Sequence, residues 1–199
     1  MALLNSQIRA LDLGSNTFLC LIAEVENEKI KYVHEDLLEV VRLGQDVERT
    51  KLLHPEALVR ADQCLQKFKI AIERHKPQKI LAMATSAARD SDNRELLFEI
   101  GKKYAIPIEI IPGNDEAKIT FQGAMSGLLV TQRCLVLDIG GGSTEFIAGH
   151  AGQIHASQSL NIGCVGNYKY AGWTQRTRRF NDYSTGCENF VTNKRTHAF

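Results

Sequence analysis

The chain has 199 residues, 44% hydrophobic and 24% charged, the balance of a globular protein with one large domain or two small ones. With 24 Lys and Arg against 23 Asp and Glu, the net charge of +1 excludes a general attraction to nucleic acid or anionic membrane. No basic-then-apolar signal segment opens the sequence and no apolar run approaches the roughly 20 residues of a membrane span, so a cytoplasmic location is expected.

The charge is unevenly spread. Residues 166–199 carry 6 Lys and Arg against 2 Asp and Glu, a single aliphatic residue (Val191) and seven of the fourteen aromatics. Five cysteines, at 20, 64, 134, 164 and 187, form no metal spacing, and Cys20, Cys64 and Cys134 read as buried free thiols.

In chain order, residues 7–13 predict a buried strand built on Ile8, Ala10, Leu11 and Leu13, closed by Gly14-Ser15-Asn16. Strands follow at 17–25 and 29–41, an antiparallel meander. Pro55 suits a first helical turn, and Leu58, Ala61, Leu65, Phe68 and Ile72 recur at helical spacing. A strand at 79–84, a helix over about 92–103, a strand at 106–111 and a helix over about 114–127 complete a mixed α/β layer. Strands at 134–139, 144–148 and about 153–161 then repeat the opening meander, with turns at 140–143 and 150–152. Leu11–Thr17 and Leu137–Ser143 share a pattern 126 positions apart: buried strand, terminal Asp, Gly/Ser turn, returning strand. That repeat predicts two related lobes.

Turns of small residues let an anion approach backbone N–H groups, and a single such turn reads equally as plain structure. Two of them, Gly14-Ser15-Asn16-Thr17 and Gly140-Gly141-Gly142-Ser143, each led by a strand-end carboxylate (Asp12 and Asp138), point to phosphate held with a divalent cation. Glu145 alternates with Phe146; with Phe146 facing the core, Glu145 would face the opposite side and join Asp138. Thr85, Ser86 and Arg89 offer hydroxyls and a planar donor to phosphate, although the segment reads equally as a helix cap with a surface arginine. Asp115 and Glu116 open a helix, where a carboxylate either complements the dipole or takes a proton from water.

These elements together resemble the Ppx/GppA family of bacterial exopolyphosphatases and guanosine pentaphosphate phosphohydrolases. The matching segments are DLGSNT at 12–17, VRLGQ at 41–45, ATSAARD at 84–90, PGNDEA at 112–117 and LDIGGGSTEF at 137–146. The resemblance covers about residues 7–165 and implies an α/β fold of ribonuclease-H-like lobes, of the acetate-kinase/actin/Hsp70-like superfamily. One complete lobe is expected at 1–130 and the first strands of a second at 131–165. It implies Mg²⁺-dependent (or Mn²⁺-dependent) removal of a terminal phosphate from polyphosphate or from guanosine penta- or tetraphosphate, and a homodimer for the full-length family. Glu116 matches the general base, Arg89 the phosphate-contacting arginine, Asp138 and Glu145 the acids near the metal, and Gly14–Thr17 and Gly140–Ser143 the phosphate-binding turns.

Residues 161–165 begin a segment of the family's second lobe and residues 166–170 depart from it. The tail at 166–199 reads first as a shifted reading frame or altered gene end, disordered as a result. Second comes an added basic tail, and third a nucleic-acid arm with stacking aromatics. Two functions from different classes follow: an active phosphohydrolase, or a truncated, weakly active or inactive binder of phosphate or nucleotide. A sugar or acetate kinase is a third reading, opposed by Glu116 where a hydrolytic base belongs.

Overall fold

The computed structural model describes residues 6–27, 29–75, 79–126, 132–160, 162–164 and 190–192. Two compact units divide at Ile111/Pro112.

In the first unit, β1 (Ser6–Leu13), β2 (Thr17–Glu26), β3 (Lys29–Val40), β4 (Lys79–Ala84) and β5 (Ile108–Ile110) form one sheet in the order β3-β2-β1-β4-β5. The meander β1-β2-β3 is antiparallel, whereas β4 and β5 are added in parallel through helical crossovers. Alternation puts Leu11 and Leu13 of β1 with Phe18, Cys20 and Ile22 of β2 on one buried face. Arg9 shares that face instead of Ile8 and Ala10, and loss of water there lowers its pKa.

The crossover helix α2 (Pro55–Arg74) starts with Pro55 after His54, whose Nδ1 accepts the Glu56 N–H. Its buried stripe, Ala57, Ala61, Cys64, Leu65, Phe68, Ala71 and Ile72, closes the core cluster. A one-turn helix α1 (Val47–Thr50) precedes it, and another, α3 (Ser86–Arg89), follows β4. Helix α4 runs Glu95–Lys103, not from 92 as the sequence suggests. The Asn93 side chain pairs with Leu53 through both its backbone N–H and C=O, at 2.7 and 3.1 Å, which holds 92–94 as a turn.

In the second unit, α5 (Gly113–Met125) packs on β6 (Arg133–Ile139), β7 (Thr144–His150) and β8 (Gln153–Leu160); β9 (Phe190–Thr192) pairs in parallel with β6. The order β8-β7-β6-β9 repeats β3-β2-β1-β4, and the first ladder keeps its register: Leu13 faces Phe18 and Ile139 faces Thr144, each shifted by 126. The division expected at 130/131 therefore moves to 111/112. Its cause is α5, whose Ala117 and Phe121 join Cys134, Val136 and Ile147 in the second core. The readings of residues 166–199 as frameshifted, disordered or a basic tail fall outside the described residues, apart from Phe190–Thr192.

Cys20, Cys64 and Cys134 are free and buried, and Cys164 is exposed. Burial pushes the Cys20 and Cys64 thiols up to about 12. Native-state alkylation with iodoacetamide at pH 8, mapped by peptide mass spectrometry, is expected to label Cys164 while Cys20 and Cys64 stay unmodified until the chain unfolds.

An ideal Cβ at Gly149 would lie 2.2 Å from Phe121 Cζ and 2.7 Å from the Gln153 carbonyl. Gly149→Ala therefore overpacks the second core and is expected to cost about 1–3 kcal/mol in urea denaturation. Adding Phe121→Leu, which withdraws the ring, should recover part of that loss in a double-mutant cycle.

Candidate active site

Each unit builds the same turn. Gly14 N–H donates to Thr17 O at 3.1 Å, and Gly140 N–H donates to Ser143 O at 2.9 Å. A Cβ at Gly14 would sit 2.9 Å from Thr17 O and one at Gly140 3.1 Å from Ser143 O, so both turns need glycine for the same close approach.

In the first unit the VRLGQ segment wraps the turn: Val41 and Arg42 N–H groups donate to Asn16 O, and Gly44 N–H donates to Ser15 O at 2.7 Å. The Ser15 hydroxyl is buried, 2.8 Å from Ser86 Oγ, and accepts the Ala87 N–H at 3.1 Å. Thr85 N–H donates to Leu13 O. The structure thus joins two segments that the sequence left 70 positions apart, Gly14–Thr17 and Thr85–Ser86. The hydrogen bonds of Ser15 are spent on holding α3 against the turn. Arg89 Nη1 donates to Ile111 O at 3.0 Å at the end of β5. Asp12 is exposed, one residue before the buried Leu13, and pairs across the ladders with Leu19 and Met83.

In the second unit the acids meet. Asp138 and Glu145 are direct partners in the antiparallel ladder, so their side chains share one face. Glu145 is 1% exposed, while Phe146 is 37% exposed. The expectation that Phe146 faces the core is thereby reversed: Glu145 lies on the face covered by α5, with Val136 and Ile147, and reaches Asp138 from that side. Ser159 Oγ donates to Glu145 Oε1 at 2.8 Å, and Thr120 Oγ1 donates to Asp138 Oδ2 at 3.3 Å.

Helix α5 also sets the height of Glu116. Met125 touches Cys134 at the start of β6, and Thr120 touches Asp138 near its end, so helix and strand run antiparallel. Glu116 lies one turn before Thr120 on the same stripe, about 6 Å further along the axis.

Among the described residues no three His, Cys, Asp or Glu side chains gather to hold an ion. The opposed pair Asp138 and Glu145 nevertheless fits Mg²⁺, a hard cation commonly held by one or two carboxylates with waters and substrate phosphates. Asp12 belongs to the first unit and has no carboxylate across its rung. Sequence reasoning missed Thr120, Ser159 and Gly163; a Cβ on Gly163 would lie 2.2 Å from Gly141 O, pressed against the second turn. Only Thr120 left a signal, its i+4 spacing from Glu116.

A profile described as the Ppx/GppA phosphatase family matches residues 21–169. The chain belongs to this family. It is 41% identical over 172 residues to a bifunctional 3-dehydroquinate synthase/phosphatase of Fusobacterium nucleatum, covering 81% of this chain and 26% of that protein. To exopolyphosphatase 2 of Mycobacterium tuberculosis it is 35% identical over 171 residues, 80% of this chain and 53% of that protein. Among solved structures, an exopolyphosphatase from Cytophaga hutchinsonii matches with a TM-score of 0.75 at 33% identity, over 79% of this chain and 51% of the other. A Ppx/GppA family member from Aquifex aeolicus matches with a TM-score of 0.68 at 25% identity, over 80% and 52%. The chain spans about half the length of these exopolyphosphatases and a quarter of the bifunctional protein. The fold is accordingly the α/β fold of the Ppx/GppA family, and the strand order β3-β2-β1-β4 of its first sheet recurs in the second as β8-β7-β6-β9.

Ser15→Ala removes the acceptor of the Ala87 N–H and the partner of Ser86 together. It is expected to cost about 1–3 kcal/mol in chemical denaturation and to speed hydrogen exchange of the Ala87 amide.

Proposed function

We propose that this Ppx/GppA member hydrolyses the terminal phosphoanhydride of inorganic polyphosphate, releasing orthophosphate. The observation that carries the reading is the Asp138/Glu145 pair, held face to face on the two strands that the Gly140–Ser143 turn joins. Two of its relatives are exopolyphosphatases, which supports it.

In this reading the Gly140–Ser143 turn binds terminal phosphate oxygens through backbone N–H groups; within the first unit, Gly14–Thr17 and Arg89 offer phosphate a turn of the same kind and a planar cationic donor. Glu116 orients the attacking water and accepts its proton. The new P–O bond forms to that water oxygen, while the bridging P–O bond breaks and its electron pair leaves on the shortened chain. Asp138 and Glu145 would hold Mg²⁺ or Mn²⁺, which when bound supplies charge neutralisation at the phosphate oxygens. A guanosine pentaphosphate presents the same terminal anhydride, so the same residues would serve it; polyphosphate is the better supported substrate because two relatives are exopolyphosphatases.

A second reading, phosphate binding without turnover, has one specific observation in its favour. The second sheet exposes Ile139 at 67% and Phe146 at 37% on the face away from α5, whereas their first-unit counterparts Leu13 and Cys20, 126 positions earlier, are fully buried under α2. Orthophosphate release from polyphosphate decides between the two. We expect release that chelation by EDTA stops and that Glu116→Gln lowers about 10²-fold or more, the scale of a lost general base. Guanosine pentaphosphate assayed in parallel ranks the substrates. Release that survives Glu116→Gln at the wild-type rate would sink the assignment.

A further inference from the structure

We propose that Ser159 and Thr120 are positioning residues whose hydroxyls aim the Glu145 and Asp138 carboxylates for a divalent cation. The inference rests on the reading of those carboxylates as the cation's ligands.

Four side chains form one row. Ser159 on β8 is the ladder partner of Glu145 on β7, Glu145 is the partner of Asp138 on β6, and Thr120 reaches Asp138 from α5. Like charges directly opposed on a sheet repel, and the repulsion is stronger when water is excluded, as it is at Glu145 with 1% exposure. Without restraint each carboxylate would rotate away from the other. The two hydroxyls oppose that rotation from different elements. Ser159 Oγ holds Glu145 by Oε1 at 2.8 Å, and Thr120 Oγ1 holds Asp138 by Oδ2 at 3.3 Å. One oxygen of each carboxylate is thereby fixed, and the second, Glu145 Oε2 and Asp138 Oδ1, is the one offered to the cation.

The position of Ser159 depends on an irregularity in the strand. From the turn, His150 pairs with Gln153 and Gly149 with Ile154, so a regular ladder would bring Gln158 opposite Glu145. The register shift between Ala148 and Gly149 advances β8 by one residue and brings Ser159 there instead. Ser159 itself is exposed on an edge strand, yet its hydroxyl is committed to a buried carboxylate. Packing alone does not require that contact, whereas aiming a ligand does.

Mn²⁺ titration of the full chain, followed by electron paramagnetic resonance of the free ion, reads this without turnover. Ser159→Ala and Thr120→Val are each expected to weaken Mn²⁺ binding about 10–100-fold, the usual effect of losing a partner of a metal ligand. Ser159→Thr and Thr120→Ser, which keep the hydroxyl, should retain the wild-type affinity, and they separate aiming from any loss of stability in the first two variants. If Asp138→Asn abolishes binding but Ser159→Ala and Thr120→Val match the wild type, the positioning role is wrong and the carboxylate reading stands. If the wild type binds no Mn²⁺, or Asp138→Asn binds as well as it does, the carboxylate reading fails and takes this inference with it.

Discussion

Two carboxylates facing each other across one rung of a sheet are unfavourable unless something compensates them, and the second unit is organised around that rung. The sheet cannot turn either acid to the other face without shifting the whole register, because each strand alternates with a period of two. The same register keeps Val136 and Ile147 in the core and so cannot slip. Asp138 and Glu145 are consequently forced together, and Thr120, Ser159 and a cation are the available ways to stabilise them. Helix α5 is drawn into the same arrangement. Phe121 locks its height against Gly149, Thr120 ties it to Asp138, and Glu116 follows one helical turn before Thr120.

The turns show how much a short repeat can specify. Gly14 and Gly140 make the same hydrogen bond across two intervening residues, and the ladders beside them keep one register. This part was legible from Leu11–Thr17 and Leu137–Ser143, because glycine at a close approach and an Asp one residue before the strand's end leave a strong local mark. The crossover helix was equally readable from Pro55 and the spacing of Leu58, Ala61, Leu65 and Phe68, since a 3.6-residue stripe survives any tertiary context that buries it.

What the sequence concealed is non-local. The sequence carries α5 on from a βαβ run without a break in composition, which puts the end of the first unit at 130; only the packing of Ala117 and Phe121 on β6 and β7 assigns α5 to the second. The orientation of Glu145 was inverted for a related reason. Phe146 is the larger apolar side chain, and hydrophobicity alone would bury it, but Ile147 and Val136 fix the parity of the strand and turn Phe146 outward. Ser159 could not be found at all, since a one-residue bulge decides whether Ser159 or Gln158 stands opposite Glu145. Asn93 likewise bonds to Leu53, forty residues away, and no local signal starts α4 at Glu95.

The repeat also separates what the two units share from what only one has. Shifting by 126 positions carries Asp12 onto Asp138 and Leu19 onto Glu145, and in each unit the two are ladder partners. The strand-end Asp is therefore common to both copies, while its partner across the rung is leucine in one and glutamate in the other. An Asp opposite Leu19 is exposed and faces no like charge across its rung. An Asp opposite a buried Glu demands hydroxyl donors and compensating charge. The first copy spends its hydroxyls differently, with Ser15 and Ser86 bonded to each other and to the start of α3. The paired acids therefore distinguish the second unit from the first, and the cation chemistry proposed for this chain is a property of that one rung rather than of the repeated fold.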